Sequence, residues 1–182
     1  MPVRNVNHAG QSFKGAILLN STGSLTMNKG SLLQHNFSYG SASAVYMLDN
    51  SVFQMNGGMI TGHFGNLNGP CIYNNGGIMT MNGGKINNNY IMNGNGSAIM
   101  LFENEATFIM NDGEICENSA VRSDRSHCGA VYVHSTGIME MHGGSICHNT
   151  GVSIGGIHFN KNVTFLVGEN GIGKSTLVEG IA

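Results

Sequence analysis

The stretch GAVYVHSTGIMEMHGGSICHNTG, Gly129 to Gly151, decides the fold. It opens on a small residue and a short apolar run, Ala130-Val131-Tyr132-Val133. After a turn comes a segment in which Met139 and Met141 flank the polar Glu140. A Gly-rich turn follows, then another apolar position, Ile146, and then Asn149. Alternation with period two marks a strand with one buried face. Gly and Asn tolerate the positive φ that tight turns need. The unit therefore reads as three short strands joined by three turns.

The same unit recurs outward in both directions. First-strand runs begin at Ala16, Ala44, Cys71, Ala98, Ala130 and Gly156, at intervals of ~27 residues with one longer gap before Ala130. The paired apolar slots of the second strand are Leu25 and Met27, Phe53 and Met55, Met79 and Met81, Phe108 and Met110, and Met139 and Met141. Third-strand slots fall at Leu32, Ile60, Ile86, Ile115 and Ile146, with Asn89, Asn118 and Asn149 marking the turn after them and His63 in the same slot. So short a unit cannot close a core alone. Stacked copies can, each strand pairing with its equivalent ~4.8 Å away in the next coil.

The expected fold is therefore an all-β, right-handed, single-stranded parallel β-helix of about six coils. Met27, Met55, Met81, Met110 and Met141 form an inward column, and flexible Met suits a narrow core of stacked equivalents. Asn28, Asn56, Asn82 and Asn111 form an amide ladder that His142 ends. A β-sandwich, the competing architecture, has no reason to keep one column Met and another Asn.

Composition narrows the function classes. The chain has 182 residues, 10% charged, with a formal net charge of −2, so it lacks the basic stripe of a nucleic-acid-binding domain. No apolar run reaches the length of a membrane span. MPVRNVNHAGQSFKG at the start lacks the apolar centre of a signal peptide. Residues 1–160 read as β-helix, with Met1 to Lys14 the end of an earlier coil in which Val6 takes the third-strand slot, as in a piece of something longer. Open strand edges at the ends of the stack predict self-association.

The repeats resemble the right-handed β-helix repeats of bacterial surface and secreted proteins. ICENSAV…CGAVY and ICHNTG…GGI also resemble the GGA[ILV] and FxxN signature of the polymorphic outer-membrane protein family, with Ile-Cys where that family has Phe-x. The resemblance implies a cell-surface or secreted setting and a carbohydrate or protein ligand on the β-helix face.

Candidate sites within the repeats are few. Asp49 is the sole acid from Gly15 to Gly96, whereas enzymes of carbohydrate chemistry need converging carboxylates. Tyr46, Tyr73 and Tyr132 share an outward slot, suited either to stacking on sugars or to ordinary packing on the sheet. The fourth coil is acidic, with Glu103, Glu105, Asp112, Glu114 and Glu117, and carries an insertion from Ser119 to Cys128. In that loop Arg122, Asp124, Arg125 and His127 have the chemistry to grip an acidic sugar or another anion, or to satisfy one another. Cys116 and Cys147 should stack; with Cys128, His127, His142 and His148 they could hold zinc or simply be small ladder residues.

Residues 161–182 carry a different pattern. VTFLVGENGIGKSTLVEGIA contains GxxxxGKS from Gly168 to Ser175, led in by an apolar strand and followed by residues able to start a helix. It resembles the Walker A loop of ABC-type and related P-loop ATPases. That resemblance implies ATP and Mg²⁺ as cofactors. The amides of Gly168, Glu169, Asn170, Gly171, Ile172, Gly173 and Lys174 would cradle the phosphates, and Lys174 would reach the β- and γ-phosphates. Ser175 would hold Mg²⁺ and Thr176 the α-phosphate. No Walker B acid follows in this sequence, so hydrolysis is not expected of it. The stretch also fits the repeat, with Phe165 and Val167 in second-strand slots and Ile172 in the third.

Three functions follow in order of support: a non-catalytic β-helical module that presents or binds ligands, a nucleotide-binding fragment, and a polysaccharide-active enzyme working from the loop at Arg122 to His127.

Overall fold

The computed structural model describes residues 15–66, 71–92, 95–96, 98–121 and 128–160. Within them the chain winds as a parallel β-solenoid. The first sheet holds Ile17–Leu19, Val45–Met47, Ile72–Asn74, Ile99–Leu101, Val131–Val133 and Ile157–Phe159, each pairing in parallel with its equivalent one coil away. These are the six runs that the spacing singles out, and six strands bound five complete turns.

Second and third strands share one bent sheet. In the two middle coils they fuse into ten-residue strands, Ile78–Asn87 and Thr107–Cys116, with register shifts where the glycines fall. The three-strand unit needs one correction. A third sheet, of the two-residue strands Phe37–Ser38, Phe64–Gly65, Tyr90–Ile91 and Ser119–Ala120, follows the Asn turn. Two residues are too few to show alternation, so the sequence pattern passes over them. The insertion in the fourth coil consequently starts after Val121, since Ser119–Ala120 is strand.

The core is a set of columns. Met27, Met55, Met81, Met110 and Met141 stack in register, beside Leu25, Phe53, Met79, Phe108 and Met139. The opposite wall is the inward face of the first sheet, including Val45, Met47, Ile72, Ile99, Leu101, Val131 and Val133. Asn74 stands in that wall, fully buried, and is satisfied by bonds to Gly77 and to the Thr107 carbonyl.

Methionine and glycine are abundant for a linked reason. Gly84, Gly113 and Gly144 have φ of +93°, +107° and +80°, where other residues are strained. A Cβ on them would sit 2.7, 2.5 and 2.6 Å from Cε of Met55, Met81 and Met110. Each methionine thus ends in the space left open by the glycine of the following coil.

The third-strand column is Leu33, Ile60, Ile86, Ile115 and Ile146, not Leu32. The first coil has an extra residue in its turn, closed by the Ser31 N–H donating to the Asn28 carbonyl and the Asn28 N–H donating to Ser31 Oγ. One added residue flips the side chains that follow, and Leu32 is 55% exposed.

Two amide ladders run along the stack. The outer one is as expected: Asn56, Asn82 and Asn111 each donate Nδ2 to Oδ1 of the residue one coil before, at 3.1, 2.9 and 2.8 Å. The inner one uses the residues expected only to mark a turn. Oδ1 of Asn89, Asn118 and Asn149 accepts the N–H of His63, Asn89 and Asn118 respectively. Their Nδ2 groups donate to the carbonyls of Ile60, Ile86 and Ile115. The residue before each of His63, Asn89, Asn118 and Asn149 (Gly62, Asn88, Glu117 and His148) has positive φ, which turns the next side chain inward.

Candidate functional site

Chemistry-bearing side chains on a β-solenoid can face outward from a sheet, line a bend, or project from a connection. The tyrosines of the first sheet do share one slot, with Leu18, Met100 and His158. They are not an open platform. Tyr46, Tyr73 and Tyr132 are only 9, 8 and 6% exposed. Connections between the third sheet and the first fold over them, bringing Ala42, Cys128 and Ile154, and Leu48 and Phe102 close the sides. Bridges Gly96–Cys128 and Cys128–Ile154 tie these connections coil to coil. The result is a second small core outside the sheet, in which Tyr46 and Tyr73 stack at 4.9 Å. Burial raises the pKa of all three phenols, so they stay neutral.

A different aromatic column reaches the surface. Phe37, Phe64 and Tyr90 stack along the third sheet with centroids 5.3 and 5.1 Å apart, each half-buried. They directly follow Asn36, His63 and Asn89 in sequence, a regularity that could have revealed the column. Their faces cover one another and leave edges to solvent, so the column stabilises the stack more than it offers rings to a sugar.

The acids of the fourth coil do not converge. Glu103 and Glu105 sit around the turn before Thr107–Cys116, while Asp112 and Glu114 lie in that strand and Glu117 just beyond it. Outside the bend of the second sheet lies a shallow recess of about 430 Å³, floored by Gly83, Gly84, Gly113 and Gly144. Across its rim Lys85 Nζ meets Glu114 Oε2 at 2.7 Å. That hydrogen bond, then the Glu114 charge, raises the Lys85 pKa. A neighbouring recess of about 210 Å³ runs to Glu117, His148 and the paired cysteines.

Cys116 and Cys147 stack as expected and are joined by a disulfide across neighbouring coils. Bonded to each other, they are not free to ligate zinc. Cys71 and Cys128 are free and buried. Burial pushes the Cys71 thiol up and the Cys128 thiol up to about 12, so neither is a nucleophile at neutral pH. Among the described residues no three His, Cys, Asp or Glu side chains are placed to hold a metal ion.

The remaining sites expected from sequence, Arg122, Asp124, Arg125 and His127 and the phosphate loop from Gly168 to Thr176, lie outside the described residues, as do Val6 and the continued repeat at Phe165, Val167 and Ile172. Among the described residues no helix is long and apolar enough to cross a membrane.

No family model matches the chain, and neither the curated proteins nor the solved structures contain a match. The likeness to the polymorphic outer-membrane proteins and to Walker A loops therefore rests on the quoted motifs alone.

Proposed function

We propose that the chain is a non-catalytic β-helical scaffold of a cell-surface or secreted protein, which presents or binds a carbohydrate or protein ligand. The observation that carries this is where the reactive side chains go. Among the described residues the ladder amides, the stacked phenols of Tyr46 and Tyr73 and two of the thiols join coil to coil, and the acids of the fourth coil are dispersed. The intercoil disulfide supports an oxidising compartment, because such bonds are uncommon in reducing cytosol.

A second reading, binding of ATP with Mg²⁺, is favoured by one feature, the motif GENGIGKST at Gly168 to Thr176. One set of measurements separates the two. Thermal melting with and without MgATP should give the same midpoint for wild type and for Lys174→Ala if the scaffold reading holds. A ligand at ~100 times its Kd would stabilise the wild type by ~2.7 kcal/mol, and a shift lost in Lys174→Ala would promote nucleotide binding. Incubation with acidic polysaccharides should release no new chain ends. Cleavage abolished by Asp124→Ala would replace both readings with an enzyme.

A further inference from the structure

We infer that His63 is an acid-sensitive latch that holds the first described coil onto the rest of the stack. The later positions of the inner ladder are asparagine: Asn89, Asn118 and Asn149. His63 stands in the same column and makes the equivalent bonds. Its Nδ1 accepts the Asn36 N–H at 3.2 Å, and its Nε2 lies 3.0 Å from the Leu33 carbonyl. A carbonyl can only accept, so these partners require the neutral tautomer with the proton on Nε2. Both partners belong to the first coil.

An asparagine in this position cannot titrate, and a histidine can. A second proton on the imidazole would turn Nδ1 from acceptor to donor, facing the Asn36 N–H, at a residue 1% exposed. Among the described residues no carboxylate faces the ring to compensate that charge. From the first coil the titratable group facing His63 is the exposed His35. The flanking strands Met59–Thr61 and Phe64–Gly65 contain no titratable residue. The next coil contributes Asn89, while Tyr90 stacks outside on Phe64. Burial, opposed by the Leu33 hydrogen bond and reinforced by the His35 charge, lowers the imidazole from 6.5 to about 4.

The direction of the effect follows. Between 6.5 and about 4 the unfolded chain binds a proton that the folded ladder refuses. The stability conferred by this contact is complete above that window and is lost as the pH falls through it. Asn36 and Leu33 lose their partner together, so the segments that loosen are Leu32–Gln34 and Phe37–Ser38.

Hydrogen exchange across this window tests the latch. Corrected for intrinsic rates, protection of Leu32 to Ser38 should fall by up to roughly tenfold per pH unit relative to Thr107–Cys116 in the same sample. His63→Asn, which installs the residue of the rest of the column, should remove that fall. A matching fall in His63→Asn overturns the latch. Nitrogen-15 spectra of the wild-type imidazole give an independent readout that holds even if the variant does not fold. A bare Nδ1 that stays neutral through pH 6.5 supports the proposal, and titration near the ordinary 6.5 overturns it.

Discussion

Met79 and Met139 occupy one column of the second sheet, and the molecule treats them differently. Met79 has a strand on each side and is fully buried. Met139 lies in Ile138–Met141, the last described strand of that sheet's path, and is half-buried, as are Met141 and Ile146 beside it. At the other end Leu25 and Leu33 are likewise half-buried. In a one-dimensional stack a side chain needs neighbours above and below to leave water, so the same residue in the same slot contributes according to its coil.

Truncation within the column gives the largest expected effect. Met79→Ala should destabilise by about 3–4 kcal/mol in urea unfolding, within the usual cost of emptying a buried methionine site. Met139→Ala should cost about half of that or less. Equal losses would mean that the last described coil is as well covered as the middle.

Glycine substitutions come next. Gly113→Ala combines left-handed strain with a Cβ 2.5 Å from Met81 Cε and 2.9 Å from the Gly84 carbonyl oxygen. A loss of about 3 kcal/mol is expected by thermal melting. Gly30 has the same sign of φ but nothing within 4 Å of a built Cβ. Its replacement by Ala should cost only about 1 kcal/mol, the strain alone. Similar losses at both sites would remove the methionine–glycine interlock.

The smallest effects compare the two ladders. Asn118→Ala strands the buried Asn89 N–H and the Ile86 carbonyl, a loss of about 2 kcal/mol. Asn82→Ala breaks the exposed ladder, where water replaces the lost partners, and should cost under about 0.5 kcal/mol. Chemical denaturation of the two variants side by side reads the difference. A larger loss at Asn82 would put the energetic ladder on the outside.

Much of the fold was legible in the sequence because the repeat writes spatial neighbours as a spacing. The six first strands, both core columns of the second strand and the outer Asn ladder follow from counting. Counting failed where the local length changed: the added turn residue moved the third slot from Leu32 to Leu33. Counting also has no hold on segments as short as Phe37–Ser38. The candidate site was less legible. Nothing local shows that separate connections close over Tyr46, Tyr73 and Tyr132 and remove them from any ligand.

Winding, and the column to which each side chain belongs, could be read from the residues because strand periodicity and turn chemistry are local. Which columns lie dry, the joining of Cys116 to Cys147 as a disulfide and the neutral seat of His63 between two backbone partners arise from the folded stack. Burial and bonding of that kind depend on chain segments about a coil or more apart, and no single repeat encodes them.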